Sequence, residues 1–119
     1  MYLSFIFVLF LILFESCRTS SGLEKQVYIV RNGTEDKGAE LIKGSDCFTC
    51  HANERELVGP SFISVSEKYA ATEKNLKMLS KKILDGGKGH WGKVPMVPHP
   101  SLPKDDAETI VRYILLLKK

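Results

Sequence analysis

The stretch that decides the fold is Cys47-Phe48-Thr49-Cys50-His51, the pattern C-x-x-C-H, in a chain of 119 residues with only one further cysteine, Cys17. Cysteines at i and i+3 of a helical turn share a face, so both sulfurs can bond the two vinyl-derived carbons along one side of a porphyrin. The adjacent histidine then turns under the ring plane and brings an imidazole nitrogen to iron as the proximal ligand. Two other chemistries use such a pair. A thioredoxin-like redox site expects C-x-x-C at a helix start within a βαβ pattern, and no such pattern is present. A structural zinc site needs four ligands, and only His90 and His99 are left as partners. Haem attachment also accounts for every thiol, with Cys47 and Cys50 bonded and Cys17 acylated or removed.

Composition agrees with one small domain. The chain is 44% hydrophobic and 26% charged, with 9 glycines and 5 prolines, which excludes collagen-like, disordered and coiled-coil classes. Three cysteines are too few for a disulfide-dense scaffold. A net charge of +3 without a dense basic run gives no argument for nucleic acid. There are no internal repeats or low-complexity tracts.

Upstream, Tyr2 to Phe14 reads YLSFIFVLFLILF, without a charge. The run is shorter than the roughly 20 residues of a membrane-spanning helix and fits the apolar centre of a secretory signal, although no Lys or Arg precedes it. Ser16-Cys17 then resembles the cleavage box of bacterial lipoproteins, which makes Cys17 a candidate for lipidation. The competing reading cuts later, around Thr19-Ser20-Ser21-Gly22. Either way the mature chain is expected outside the cytoplasm. Residues 1–17 are read as an export signal peptide and 18–36 as a polar tether, in which Gln26 to Arg31 is extended.

Helical signals begin at Lys37. A first helix is expected over about 37 to 50, a second short one after Pro60 (SFISVSEKY), and a third from near Thr72, stopped by Gly86-Gly87. The third presents Leu76, Leu79, Ile83 and Leu84 on one face and lysines on the other, with Met78 read as a buried gap-filler. Pro103 suits the first turn of the last helix, where Asp105, Asp106 and Glu108 meet the positive end and Lys118 and Lys119 the negative end. Its apolar stripe is Ala107, Ile110, Val111, Ile114 and Leu117. The fold class is therefore all-α, with a long irregular loop from Gly86 to Leu102. A core this small usually needs a staple, and a central cofactor would supply one.

At this point residues 37–119 resemble a small bacterial class I monohaem c-type cytochrome. Beyond CFTCH, the likeness rests on Val58-Gly59-Pro60, the turn Gly89-His90-Trp91-Gly92, Val94-Pro95-Met96, and the closing amphipathic helix in the family's order. The resemblance implies a cytochrome c-like fold, a few helices wrapped around one covalently bound haem c. Met96 is then expected as the sixth ligand, its thioether presented by a loop constrained by Pro95 and Pro98. The Pro60 carbonyl should accept the N–H of the His51 ring and fix its tautomer. Trp91 and Lys82 are expected to donate to the haem propionates. The sequence departs from its relatives at Val97, where proline is frequent, and at His99, where an asparagine often hydrogen-bonds the methionine sulfur. His90 is read as an exposed turn residue, and His99 as an alternative ligand under denaturing or alkaline conditions.

With His51 and Met96 filling both axial positions, the resemblance implies a one-electron carrier and not an enzyme, exchanging electrons with redox protein partners in the periplasm and taking no small-molecule substrate. Lys74, Lys77, Lys81, Lys82, Lys88 and Lys93, offset mainly by Glu73 and Asp85, form a patch suited to acidic partners or to plain solvation. An acylated Cys17 would add membrane anchoring through lipid. Without Met96 as a ligand, the alternative is a haem-based sensor or ligand-binding module.

Overall fold

A computed structural model of the chain describes Gly33 and residues 37–117, all within the unit Asn32–Lys119. The expected signal peptide, most of the tether, the extended Gln26–Arg31 stretch, and Lys118 and Lys119 lie outside the described residues. Helix α1 covers residues 37–43, followed by a 3-10 turn at Cys47–Thr49, α2 at Phe62–Lys68, α3 at Glu73–Asp85 and α4 at Lys104–Leu116. Among the described residues the only β pairing is an isolated antiparallel bridge between Gly87 and Met96.

The helix ends follow from side-chain chemistry. Ser61 caps α2 by accepting from the Ser64 N–H at 3.0 Å. The N–H groups of Phe62 and Ile63, orphaned at a helix start, donate to the carbonyls of Ala52 and Asn53. Thr72 caps α3 through the Asn75 N–H. Gly86 ends that helix at φ 65°, a left-handed conformation that glycine adopts without a Cβ penalty. Asp105 and Asp106 occupy the first turn of α4, and Asp106 also pairs with Lys37 of α1 at 3.3 Å.

The expected helix over 37–50 is broken in two. Gly44 N–H closes the last turn of α1 on Glu40 O at 2.9 Å, and then both the N–H and the hydroxyl of Ser45 donate to Ile42 O. A serine hydroxyl competing for a backbone carbonyl turns the chain out of the helical path. The turn that restarts at Cys47 is tighter, with Thr49 N–H on Asp46 O and Cys50 N–H on Cys47 O.

Helix α4 is the spine. Its Ile110 and Ile114 pack with Ile42 of α1 and Phe62 of α2, flanked by Cys47, Val65 and Leu117. The neighbouring flank, Val111 with Leu115, packs on Leu76 of α3. The sequence-read stripe reaches this second flank at Val111 and omits Leu115, because α4 is gripped on two flanks and buries a wider face than one stripe. Met78 is corrected from buried to exposed. It stands four residues after Lys74 and three before Lys81, on the solvent face of α3, while Leu76 and Ser80 face the core.

Candidate cofactor site

The C-x-x-C-H segment forms one turn. His51 N–H and Cys50 N–H both donate to Cys47 O, at 3.0 and 3.2 Å, so the two cysteines lie one turn apart. Both thiols are unpaired and half-buried, and the Ser45 hydroxyl lies 3.0 Å from Cys47 Sγ.

After His51 the chain doubles back. Gly59 N–H donates to Cys50 O at 2.8 Å, and the His51 ring Nδ1 meets Pro60 O at 2.7 Å. A carbonyl only accepts, so Nδ1 carries the proton and Nε2 keeps its lone pair. The ring also stacks on Phe62, centroids 5.5 Å apart and planes 17° apart. Gly59 is required by close approach: a Cβ there would fall 2.5 Å from His51 Cε1. This is an imidazole oriented by backbone and packing with one nitrogen left to bind.

Met96 sits half-buried on the far loop, its backbone exchanging hydrogen bonds with Gly87 at 2.8 and 3.1 Å. Next along, His99 N–H donates to Ile83 O at 3.0 Å. Both bonds tie this loop to the end of α3. His99 Nε2 reaches Asp46 Oδ1 at 3.0 Å, directly beside Cys47, while its buried Nδ1 has no partner. His90 is exposed, as the sequence suggested.

Trp91 and Lys82 are engaged within the protein. The Trp91 ring meets Tyr69 edge-on at 5.7 Å and lies under Lys68 Nζ, 4.6 Å from the ring centroid. Lys82 Nζ donates to Gly86 O at 3.2 Å and Lys88 O at 2.8 Å, which caps α3 and fastens the glycine turn. Of the lysine patch, Lys81 pairs with Asp85, while Glu73 turns instead to Arg112 at 3.9 Å. Among the described residues Lys74, Lys77, Lys88 and Lys93 have no acidic partner.

Sequence reasoning did not single out Asp46, Ser45 or Phe62. Only Phe62 carried a signal, as the first apolar residue after a helix cap; the other two act through contacts that depend on the fold.

The residues present fit a covalent haem. Two free thiols share a turn, an oriented imidazole offers Nε2, and Phe48, Val58, Val94 and Val97, on the segments around His51 and Met96, leave apolar surface exposed. No three His, Cys, Asp or Glu side chains among the described residues gather as a metal ion would need.

Comparison with known proteins gives the same reading. The family model described as Cytochrome c matches residues 35–118. Cytochrome c-551 of Azotobacter vinelandii is 41% identical over 83 residues, covering 70% of this chain and all of the relative. Cytochrome c-551 of Pseudomonas denitrificans is 38% identical, covering 68% and 98% of the two chains. The crystal structure of cytochrome c552 from Nitrosomonas europaea superposes with a TM-score of 0.63 at 36% identity, over 67% of this chain and 99% of the other.

Proposed function

Because this chain belongs to the cytochrome c family, we propose that it passes single electrons between extracytoplasmic redox partners, with Cys47 and Cys50 holding the haem and His51 and Met96 as the axial pair. It is a class I monohaem electron carrier with one covalent haem c. When bound, the haem iron supplies the redox chemistry by alternating between ferrous and ferric states. The protein's part is to hold two ligands that fit both states.

The observation that carries the ligand assignment is the 2.7 Å bond from His51 Nδ1 to Pro60 O. It fixes the tautomer, orients the ring and raises the basicity of the other nitrogen. Met96 comes from a loop pinned by the Gly87 bridge, and a thioether is a soft donor that favours ferrous iron. With His51 and Met96 both held by the protein as ligands, a bound haem would have no iron position free for a substrate.

Lys74, Lys77, Lys88 and Lys93, unpaired among the described residues, supply a positive field that would draw an acidic partner. Ser16-Cys17 supports export with a lipid anchor, the polar tether letting the haem domain reach a membrane-bound partner. Mass spectrometry of the mature N-terminus tests that part: a soluble chain starting beyond Cys17 overturns the anchor.

Absorption spectra of the purified holoprotein test the carrier reading. A six-coordinate, low-spin haem that cycles one electron and ignores carbon monoxide is expected. Ready carbon monoxide binding would favour a sensor or ligand-binding module instead.

A further inference from the structure

We propose that His99 is a positioning residue for the sixth ligand, its imidazole clasping the Met96 loop to the turn that carries Cys47 through the carboxylate of Asp46. The inference rests on the reading of Met96 as an axial ligand and adds how that ligand is kept in place.

Two axial ligands must stay at a fixed separation although they come from segments far apart in sequence. The bonds of Met96 to Gly87 and of His99 N–H to Ile83 O fix the loop to α3; Ile83, Leu102 and Cys47 share one apolar cluster, but neither bond joins the loop to the C-x-x-C-H turn. The His99–Asp46 contact at 3.0 Å spans 53 residues and makes that direct polar link.

The ring projects from a backbone held on both sides, because Leu102 N–H also donates to His99 O at 3.1 Å. His99 is the seated partner, with its side chain 25% exposed, against 71% for Asp46. An ionised carboxylate only accepts, so His99 Nε2 carries the proton and donates. Nδ1 is buried without a partner, which opposes keeping the ring inside. The bond to Asp46 is therefore the polar contact that holds the ring where it is, and losing the carboxylate removes the loop's direct polar link to the Cys47 turn.

The test is the rate at which cyanide displaces the sixth ligand in ferric holoprotein, compared across wild type, His99→Ala, Asp46→Ala, the double variant, Asp46→Asn and Met96→Ala. His99→Ala and Asp46→Ala should each accelerate displacement by about three- to tenfold, the fold-change of one ordinary hydrogen bond. The double variant should be no faster than the faster single, because both remove the same bond. Asp46→Asn keeps an oxygen acceptor and should stay near wild type. The sulfur-to-iron absorption of the ferric form should weaken in the same order as displacement quickens. Should His99→Ala fail to mature, the exposed Asp46→Ala and its Asn counterpart carry the comparison.

Single variants at the wild-type rate, beside a fast Met96→Ala, overturn the clasp and leave Met96 ligation standing. Accelerations that multiply in the double variant also overturn it, since the residues would then act separately. If Met96→Ala itself takes cyanide at the wild-type rate, the ligand reading has failed and the clasp with it.

Discussion

The His51 ring lies against the backbone of Gly59 so closely that a Cβ at residue 59 would sit 2.5 Å from Cε1, while the next residue, Pro60, accepts the ring's Nδ1 proton at 2.7 Å. Orientation of the imidazole and the absence of a side chain at Gly59 are thus one device. Gly59→Ala should push the ring off Phe62 or pull Pro60 O out of reach. The expected loss is about 1–3 kcal/mol of holoprotein stability, the usual cost of overpacking, read as the shift in a denaturant midpoint. An unchanged midpoint and spectrum would show that the loop yields freely.

Cys47 and Cys50 should be obligatory for the folded state. Among the described residues the buried apolar core is small: Ile42, Phe62 and Leu76 with five side chains of α4. A core of that size leaves little stability after chain entropy, so the covalent cofactor acts as its staple. Cys47→Ala with Cys50→Ala should yield no stable holoprotein. A cooperatively melting, haem-free double variant would refute this.

Much of the helical frame was legible because caps and stops are local. Ser61, Thr72 and Gly86 act within three or four residues of themselves, and each does in the structure what its residue type suggests. The break after α1 was not legible, since Ser45 can either continue a helix or divert Ile42 O, and local pattern does not decide between them. The exposure of Met78 was misread because lysines with long stems flank it, and chemistry alone does not show which side of α3 meets α4. The pairing of His99 with Asp46 crosses 53 residues and leaves no periodic trace at all. His51 and Pro60 were paired through family likeness, and the bond between them is present.

Lys82 should matter to the loop as much as to any anion. Its ammonium donates to Gly86 O and Lys88 O, two carbonyls of the turn from which the Met96 loop departs. Lys82→Met keeps the apolar stem and removes both bonds along with a positive charge at the end of α3. A loss of about 1–2 kcal/mol in thermal or denaturant unfolding is expected. Full wild-type stability would mean that the ammonium is solvated and the contacts idle.

Charge reversal at Lys74 and Lys77 should slow association with an acidic redox partner. Both are exposed on α3 and form no ion pair among the described residues, while the nearby Glu73 turns to Arg112, so their charge faces solvent. Lys74→Glu with Lys77→Glu should lower the bimolecular electron-transfer rate by up to about tenfold at low salt, with the difference shrinking as salt screens it. Stopped-flow rates across ionic strength read this directly. A salt-independent rate equal to wild type would place the docking surface elsewhere.

Met96 should hold the iron low-spin at a raised potential. Its sulfur is a neutral, soft donor that stabilises ferrous over ferric iron, and the Gly87 bridge with the Ile83–His99 bond fastens its loop to the end of α3. Met96→Ala removes the donor but not the loop's tethers, so the domain should stay folded, with haem still attached through Cys47 and Cys50. The open position should then admit carbon monoxide in the ferrous form and cyanide in the ferric form. The sulfur-to-iron absorption should vanish, the potential should fall, and peroxidase activity should appear. Met78→Ala, on the solvent face of α3, should do none of this. A Met96→Ala protein with the wild-type spectrum and potential would require another sixth ligand. In that case His99 would have to leave Asp46 to reach the iron, and Asp46→Ala would then strengthen the ligation instead of weakening it.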